Sequence, residues 1–351
     1  MKKKCYNEKK RRVGKRSIRA YIYDIGNIID ACHVSYRGKS QRQRQRAEVR
    51  KVMDDTFAFA TKVRGKIVGG TYKVGDYRHF ELKDRKKKRN ISVLPYADRC
   101  VQNDYKGGIE PVIINQATDD MCAGLPGRGV TSSIDKWCVV RKVQRIMRTD
   151  KAVWMWQGDI SKFYDSIHNV IVMKELERIV SDKEVLSLMR EHVMKQGELA
   201  IGDPMSHLLA SLVIAPLVRY LKANGATLVN YADDFWCVAE TREEMYRIKK
   251  LAEEYAVTHL RLHFKPSQVR RIDAAPFRFC GYVFHPNGKV LLCSDTKKKY
   301  VRTRHKERSK ASYNGMLLCC NSRHLRKKVE INDNNRKNYG KETDTFCRKT
   351  A

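Results

Sequence analysis

Two adjacent carboxylates stand in Tyr231-Ala232-Asp233-Asp234, between the apolar runs Leu228-Val229 and Phe235-Trp236-Cys237-Val238. That pattern predicts a β-hairpin with the acidic pair at its tip. Held so close, the two charges repel and raise at least one pKa unless a cation lies between them. A divalent metal is the natural remedy, since Mg²⁺ takes one or two carboxylates together with substrate phosphates. An Asp pair in a turn is by itself ordinary turn chemistry; a third carboxylate upstream gives it direction. In Trp154-Met155-Trp156-Gln157-Gly158-Asp159 an apolar strand runs into Asp159, which either caps the following helix or faces a cleft. With that strand laid beside the hairpin, Asp159 and Asp233 can hold two metals roughly 3.5–4 Å apart, the arrangement of in-line phosphoryl transfer. One metal would activate the attacking hydroxyl and the other would steady the leaving pyrophosphate.

The order of the motifs carries a resemblance. Gly158-Asp159-Ile160-Ser161-Lys162-Phe163-Tyr164-Asp165-Ser166-Ile167, followed about seventy residues later by Tyr231-Ala232-Asp233-Asp234, resembles motifs A and C of reverse transcriptases. Between them Ile201-Gly202-Asp203-Pro204-Met205-Ser206-His207 is similar to motif B, whose glycine and serine line the nucleotide pocket in that family. Leu262-His263-Phe264-Lys265-Pro266 is similar to motif D, and Phe277-Arg278-Phe279-Cys280-Gly281-Tyr282-Val283-Phe284 to motif E, the primer grip. Upstream, Tyr77 to Leu82 and Lys86-Lys87-Lys88-Arg89-Asn90-Ile91 resemble the basic fingers hairpin, and Ala97-Asp98-Arg99-Cys100-Val101-Gln102 the helix after it. Gly124 to Val130 is similar to the glycine-rich segment before the palm. The resemblance covers about residues 20 to 285.

It implies an RNA-directed DNA polymerase with a two-metal site: Asp159, Asp233, Asp234 and the backbone carbonyl of Ile160 on two Mg²⁺ ions, with Mn²⁺ as a substitute. Lys265 would protonate the departing pyrophosphate. Arg89 would meet the incoming triphosphate; Lys87 and Lys88 beside it are nucleic-acid contacts, their register blurred by four consecutive basic residues. Tyr164 would block a 2′-hydroxyl and so favour deoxynucleotides, while Ile201, Gly202 and Ser206 would line the nucleotide pocket. Gly281 and Tyr282 in the primer grip, with Lys297, Lys298 and Arg302 beyond it, would contact the template–primer duplex.

Charge narrows the partner. Lys and Arg number 72 against 39 Asp and Glu, a formal net charge of +33, which is an electrostatic footprint for nucleic acid. Ten of the first twenty residues are Lys or Arg, a basic arm expected to order on RNA. The resemblance implies template RNA, the RNA/DNA hybrid and dNTPs as ligands; the charge adds a structured non-coding RNA, and a likeness to retroelement enzymes, taken up below, implies a small basic accessory protein. The first apolar stretch, Tyr21 to Ile29, is broken by Asp24, so no secretory signal is expected. Leu208 to Val218 is too short to span a bilayer, and no membrane partner is foreseen. Eleven cysteines without a C-x-x-C pair read as reduced thiols in the cytoplasm, with no zinc site.

The elements that must position these residues read as an α+β, right-hand polymerase fold: fingers, a palm of antiparallel sheet plus helices, and a short helical thumb. The boundaries expected are a basic arm over 1–20, fingers over 21–150, palm over 151–285, and basic thumb and tail over 286–351. Helices are predicted over Gln41 to Lys66, over Ile167 to Val180, and over Ser181 to Met194, the last opened by a Ser181-x-x-Glu184 capping box. A further capping box, Thr241-x-x-Glu244, opens the helix after motif C.

Most reverse transcriptases carry Gln where Ile201 precedes Gly202. An isoleucine offers no hydrogen bond near the nascent base pair, and polar readout is where large selectivity arises. Ile-Gly at this place resembles the reverse transcriptases of diversity-generating retroelements, which copy a template RNA with errors opposite adenine. The departures at Asp203-Pro204-Met205 and His207 keep a second reading open, a defence-associated bacterial reverse transcriptase of the group II intron-like branch that makes DNA from a non-coding RNA in anti-phage immunity. A third reading is an inactive RNA-binding scaffold.

Overall fold

The computed structural model describes residues 17–84, 87–130, 153–195, 197–303 and 306–327. Residues 1–16 of the basic arm expected over 1–20, Lys86 and the tail beyond residue 327 lie outside the described residues.

Short polar residues open the first helices. Ser17 and Asp24 accept from the backbone N–H groups of Ala20 and Asn27, both at 3.1 Å, at the heads of α1 (Ile18–Ile22) and α2 (Ile25–Arg37). The stretch expected to be helical forms three helices, α3 (Gln41–Arg44), α4 (Ala47–Met53) and α5 (Thr56–Val68). Alternating residues then give the antiparallel hairpin of β1 (Arg78–Asp84) and β2 (Lys87–Val93), in which Leu82 pairs with Arg89 and Arg78 with Val93. The long helix α6 (Tyr96–Gln116) follows.

The strand that ends at the first carboxylate is β3 (Trp154–Asp159). After it come the helical turn α7 (Phe163–Ser166) and the helices α8 (Asn169–Ile179), α9 (Lys183–Val193) and α10 (Ser206–Ala223). Asp182, not Ser181, caps α9: its carboxylate accepts from the N–H groups of Glu184 at 3.0 Å and Val185 at 3.3 Å and also binds Arg19 of α1 at 2.6 Å. A carboxylate serves the positive end of the helix and the guanidinium at once, which a serine cannot do. The expected hairpin is β4 (Thr227–Tyr231) and β5 (Asp234–Ala239). Thr241 Oγ1 accepts from Glu244 N at 3.1 Å at the head of α11 (Arg242–Tyr255), the threonine half of the expected capping box. Then follow β6 (Arg270–Arg271), β7 (Phe277–Phe279), β8 (Tyr282–Phe284), β9 (Val290–Leu292), α12 (Ser294–Thr303) and α13 (Glu307–Leu318).

Two compact units emerge: Met1–Pro126 with Trp156–Cys237 and Tyr246–Gln268, and Gly127–Met155 with Val238–Met245 and Val269–Ala351. In the first, β5 lies between β4 and β3, and α10 packs on α6, α8 and β4. Leu208, Leu212, Val213, Leu217 and Val218 of α10 are fully buried, and each contributes roughly 1.5–3 kcal/mol of burial. That helix is the apolar floor beneath the strands. In the second unit Trp154 and Met155 pair antiparallel with Arg271 and Arg270, and β7, β8 and β9 form an antiparallel meander. Mixed helices and antiparallel strands make the fold α+β. Among the described residues no helix is long and apolar enough to cross a membrane.

Candidate active site

The end of β3 is braced on two sides by backbone. Ile160 N donates to Asp233 O at 3.1 Å, which fastens the β4–β5 turn to it. On its other flank Lys265 N donates to Asp159 O at 2.8 Å and Ser161 N to His263 O at 2.9 Å, around an antiparallel bridge between Ile160 and Phe264. Lys265 thereby lands beside the carboxylate, with Nζ 2.6 Å from Asp159 Oδ1. Beneath, Phe264 meets Trp156 and Phe235 edge to face, at centroid distances of 5.1 and 5.4 Å. A Cβ on Gly158 would stand 2.5 Å from the Trp156 ring, so the residue before Asp159 must be glycine for these rings to close.

The hairpin turn is Ala232-Asp233, and Ala232 adopts a φ of 54°. Left-handed backbone costs a residue with a Cβ roughly 1–2 kcal/mol. Asn230, buried in β4, offsets this by donating through Nδ2 to Ala232 O at 2.8 Å and Asp234 O at 3.3 Å. Met121 bridges Asn230 in parallel, so the chain leaving α6 flanks β4 as well.

Electrostatics ties the three carboxylates into one site. Asp234 is pushed up to about 6, first by burial and then by the charges of Asp233 and Asp159, with Lys265 opposing. Tyr164, on α7, is pushed up to about 12 by burial and then by Asp233. Its hydroxyl pairs with His207 Nδ1 of α10, the rings meeting edge to face at 5.3 Å. Burial, followed by the charge of Lys106, lowers the His207 pKa, which favours the neutral imidazole. Among the described residues no group of three His, Cys, Asp or Glu side chains is gathered as a preformed metal cluster; the ammonium of Lys265 is the cation that meets Asp159 here.

The nucleotide-pocket residues predicted upstream of α10 divide. Ile201 O accepts from Ser92 N at 2.9 Å. Gly202 has a φ of 106°, and a Cβ there would lie 2.9 Å from Ile91 Cγ2 and 3.1 Å from Ser92 O. These contacts seat the Ile201-Gly202 turn against β2, the strand that carries Arg89. Asp203 secures the same turn from within: its carboxylate accepts from Tyr77 Oη at 2.7 Å, Gln102 Nε2 at 2.5 Å and Met205 N at 2.7 Å. Ser206, expected to line the pocket, is buried instead, and its hydroxyl donates to Ala200 O at 2.6 Å. A hydroxyl at the head of a buried helix satisfies the nearest carbonyl rather than facing solvent.

Of the basic hairpin residues, Lys87 opens β2, Lys88 pairs with Glu81 at 3.1 Å and Arg89 stands exposed opposite Leu82. In the second unit Cys280 and Gly281 turn between β7 and β8 at φ values of 49° and 84°. Tyr282 departs from its expected place at a nucleic-acid surface: it is fully buried and donates through Oη to Met316 O at 3.0 Å. A ring alternating inward with Phe284 along β8 belongs to the core of that meander. Lys297 is half-buried on α12, whereas Lys298 and Arg302 are exposed one turn apart, opposite Tyr300, which packs on Tyr313 at 5.4 Å.

Asn230, His207 and Asp203 are the site-shaping residues that sequence reasoning left without a role. Their signals were slight: a polar residue inside an apolar strand for Asn230, and departures from the family pattern for the other two.

Residues 81–284 match the family described as Reverse transcriptase (RNA-dependent DNA polymerase). Protein YkfC of Escherichia coli (strain K12) is 23% identical over 145 residues, 40% of this chain and 36% of that protein. Among solved structures, apo telomerase from Candida tropicalis truncated from its C-terminal domain aligns with a TM-score of 0.48 at 9% identity, over 62% of this chain and 55% of that one. Telomerase from Candida albicans in complex with a fragment of telomeric RNA aligns with a TM-score of 0.46 at 9% identity, over 64% and 46%. The chain thus spans about a third of YkfC and about half of these telomerase chains.

Proposed function

The chain belongs to the reverse transcriptase (RNA-dependent DNA polymerase) family, and we propose that it synthesises cDNA on a template RNA by nucleotidyl transfer at Asp159, Asp233 and Asp234. The observation that carries this reading is the coupling of the three carboxylates with Lys265 where β3 meets the β4–β5 turn. Their donor chemistry fits Mg²⁺: hard oxygens, crowded negative charge, and a carboxyl that burial and then the charges of Asp233 and Asp159 raise to a pKa of about 6. Asp159, Asp233, Asp234 and the backbone carbonyl of Ile160 would hold two such ions, with Mn²⁺ as a substitute. When bound, the ions supply Lewis-acid activation of the 3′-hydroxyl and neutralise charge on the leaving pyrophosphate.

The remaining roles fall to the chain's own residues. Lys265 holds a proton at Nζ inside the site, ready for the departing pyrophosphate once it leaves Asp159. Tyr164, fixed by His207, presents a ring beside Asp233 that excludes a 2′-hydroxyl. Arg89 on β2 faces the triphosphate, with Lys87 and Lys88 on the strand of nucleic acid beside it. Gly202 and Ile201, seated against β2, form the floor under the incoming base, with Ser206 acting through its bond to Ala200. In the second unit Gly281, Lys297, Lys298 and Arg302 supply contacts to the RNA/DNA hybrid. Fingers, palm and thumb over 21–150, 151–285 and 286–351 are the division this reading assigns.

Ile201 supports a finer reading, an error-prone enzyme of a diversity-generating retroelement that works with a structured RNA and a small basic accessory protein in the cytoplasm. An aliphatic side chain at the nascent base pair cannot discriminate by hydrogen bonding. The departure of Asp203-Pro204-Met205 and His207 from the retroelement motif supports a second reading, DNA synthesis from a non-coding RNA in anti-phage defence. Primer extension on RNA with dNTPs and Mg²⁺, followed by sequencing of the product, tests both levels. The expected result is cDNA with misincorporation opposite adenine that falls in Ile201→Gln. Ordinary fidelity opposite adenine in both proteins would remove the mutagenic reading, and RNA binding without cDNA under every primer and metal condition would return the inactive scaffold.

A further inference from the structure

A second place in the first unit gathers cationic side chains around a cavity. Where the base of the β1–β2 hairpin meets α4 and the head of α6, a cavity of about 420 Å³ opens, within the usual range of small-ligand sites of about 300–1,000 Å³. Four cationic side chains line it, those of Lys39, Arg46, Arg78 and Arg99, against the single carboxylate of Glu48. Glu48 pairs loosely with Arg46 at 3.9 Å and with Arg78 at 3.7 Å, and one carboxylate against four cations leaves most of that charge unanswered. The Nε of Arg99 is buried and makes no hydrogen bond, a deficit that a folded protein seldom tolerates without a ligand or water. Lys39 stands over the Tyr96 ring at 4.8 Å, and burial followed by the charge of Arg99 lowers its pKa. Phe80 lends an aromatic ring that is 51% exposed.

Four converging cations against one carboxylate call for phosphate, and an exposed ring beside them calls for a base, since base–aromatic stacking tolerates any sequence. We propose that this cavity binds one nucleoside phosphate, with the phosphate on Arg46, Arg78 and Arg99 and the base stacked on Phe80. It shares no residue with the Asp159 site and does not rest on the polymerase reading. The nucleoside phosphate comes either free or as one unit of an RNA strand, and its volume suits a single nucleotide rather than a length of duplex.

Binding to the full-length chain in EDTA, where no metal supports nucleotide at the carboxylates, separates the sources with AMP and a 5′-phosphorylated oligoadenylate RNA as probes. Wild type is expected to bind saturably, and the Arg46→Gln, Arg99→Gln double variant at least about tenfold more weakly. Phe80→Ala is expected to lose about tenfold through stacking. Because that ring is exposed, the variant keeps the fold and decides the matter if the double variant does not fold. Weakening with both probes assigns the site to a nucleoside phosphate from either source, and weakening with RNA alone assigns it to a strand-borne one. Unchanged binding of both probes to Phe80→Ala, or no saturable binding of either probe to wild type, overturns the proposal.

Discussion

Asp234 shows how single residues report the state of the site. Its folded pKa of about 6 lies above the ordinary value of 3.8, so folding favours its protonated form. The cost of ionising it is absent below about pH 4, grows as pH rises to 6, and is complete above that. Metal-free Asp234→Asn should therefore be more stable than wild type at pH 7.5, by about 1 kcal/mol once solvent screening is allowed for, and equally stable near pH 4. Thermal melts in EDTA at the two pH values read this, and an equal gap at both would contradict it. Asn230 acts through the turn: Asn230→Ala leaves the Ala232 and Asp234 carbonyls without their donor and should lower stability by about 1–3 kcal/mol. The same change should slow nucleotide addition beyond what the lost stability explains, and a variant that melts early but extends primers normally would reduce Asn230 to a packing role.

Among the elements, the Ile201-Gly202 turn closes tightly on β2, and Gly202→Ala is the sharpest probe of it. A φ of 106° with Ile91 and Ser92 at 2.9 and 3.1 Å leaves no room for a methyl group, so a loss of about 1–3 kcal/mol is expected, read as a lower thermal midpoint together with weaker dNTP use. Retention of both would mean that β2 yields without consequence. The β4–β5 hairpin, the strand ending at Asp159 and the Thr241 cap were legible because apolar runs and turn or cap residues are local signals, whereas the basic β1–β2 hairpin was legible only through its resemblance to the fingers motif. Lys265 beside Asp159 was legible only through motif order, since the pairing of residues 263–265 with 159–161 is a long-range event. Ser206 and Tyr282 turned inward against expectation because which side of a helix or strand faces the core is settled by its neighbours, not by its own sequence. The switch from Ser181 to Asp182 has the same origin: Arg19, far away in the chain, rewards the carboxylate.

For the whole molecule, the net charge of +33 predicts binding of RNA governed by counterion release. If six to ten phosphates are neutralised, affinity should fall about 10³–10⁵-fold between 50 and 200 mM salt, and a shallow slope in a filter-binding titration would argue against a long basic track. High affinity alone, however, would suit a scaffold as well as an enzyme. The account turns on three carboxylates from β3 and the β4–β5 hairpin acting as one metal-dependent centre, and the rate of the first nucleotide addition on an RNA template tests that most directly. Wild type should extend a primer with Mg²⁺ and dNTPs, while Asp159→Asn and Asp233→Asn bind the same primer–template yet slow the addition by at least about 10³-fold, about 4 kcal/mol of barrier. Extension by either variant at the wild-type rate would contradict the account.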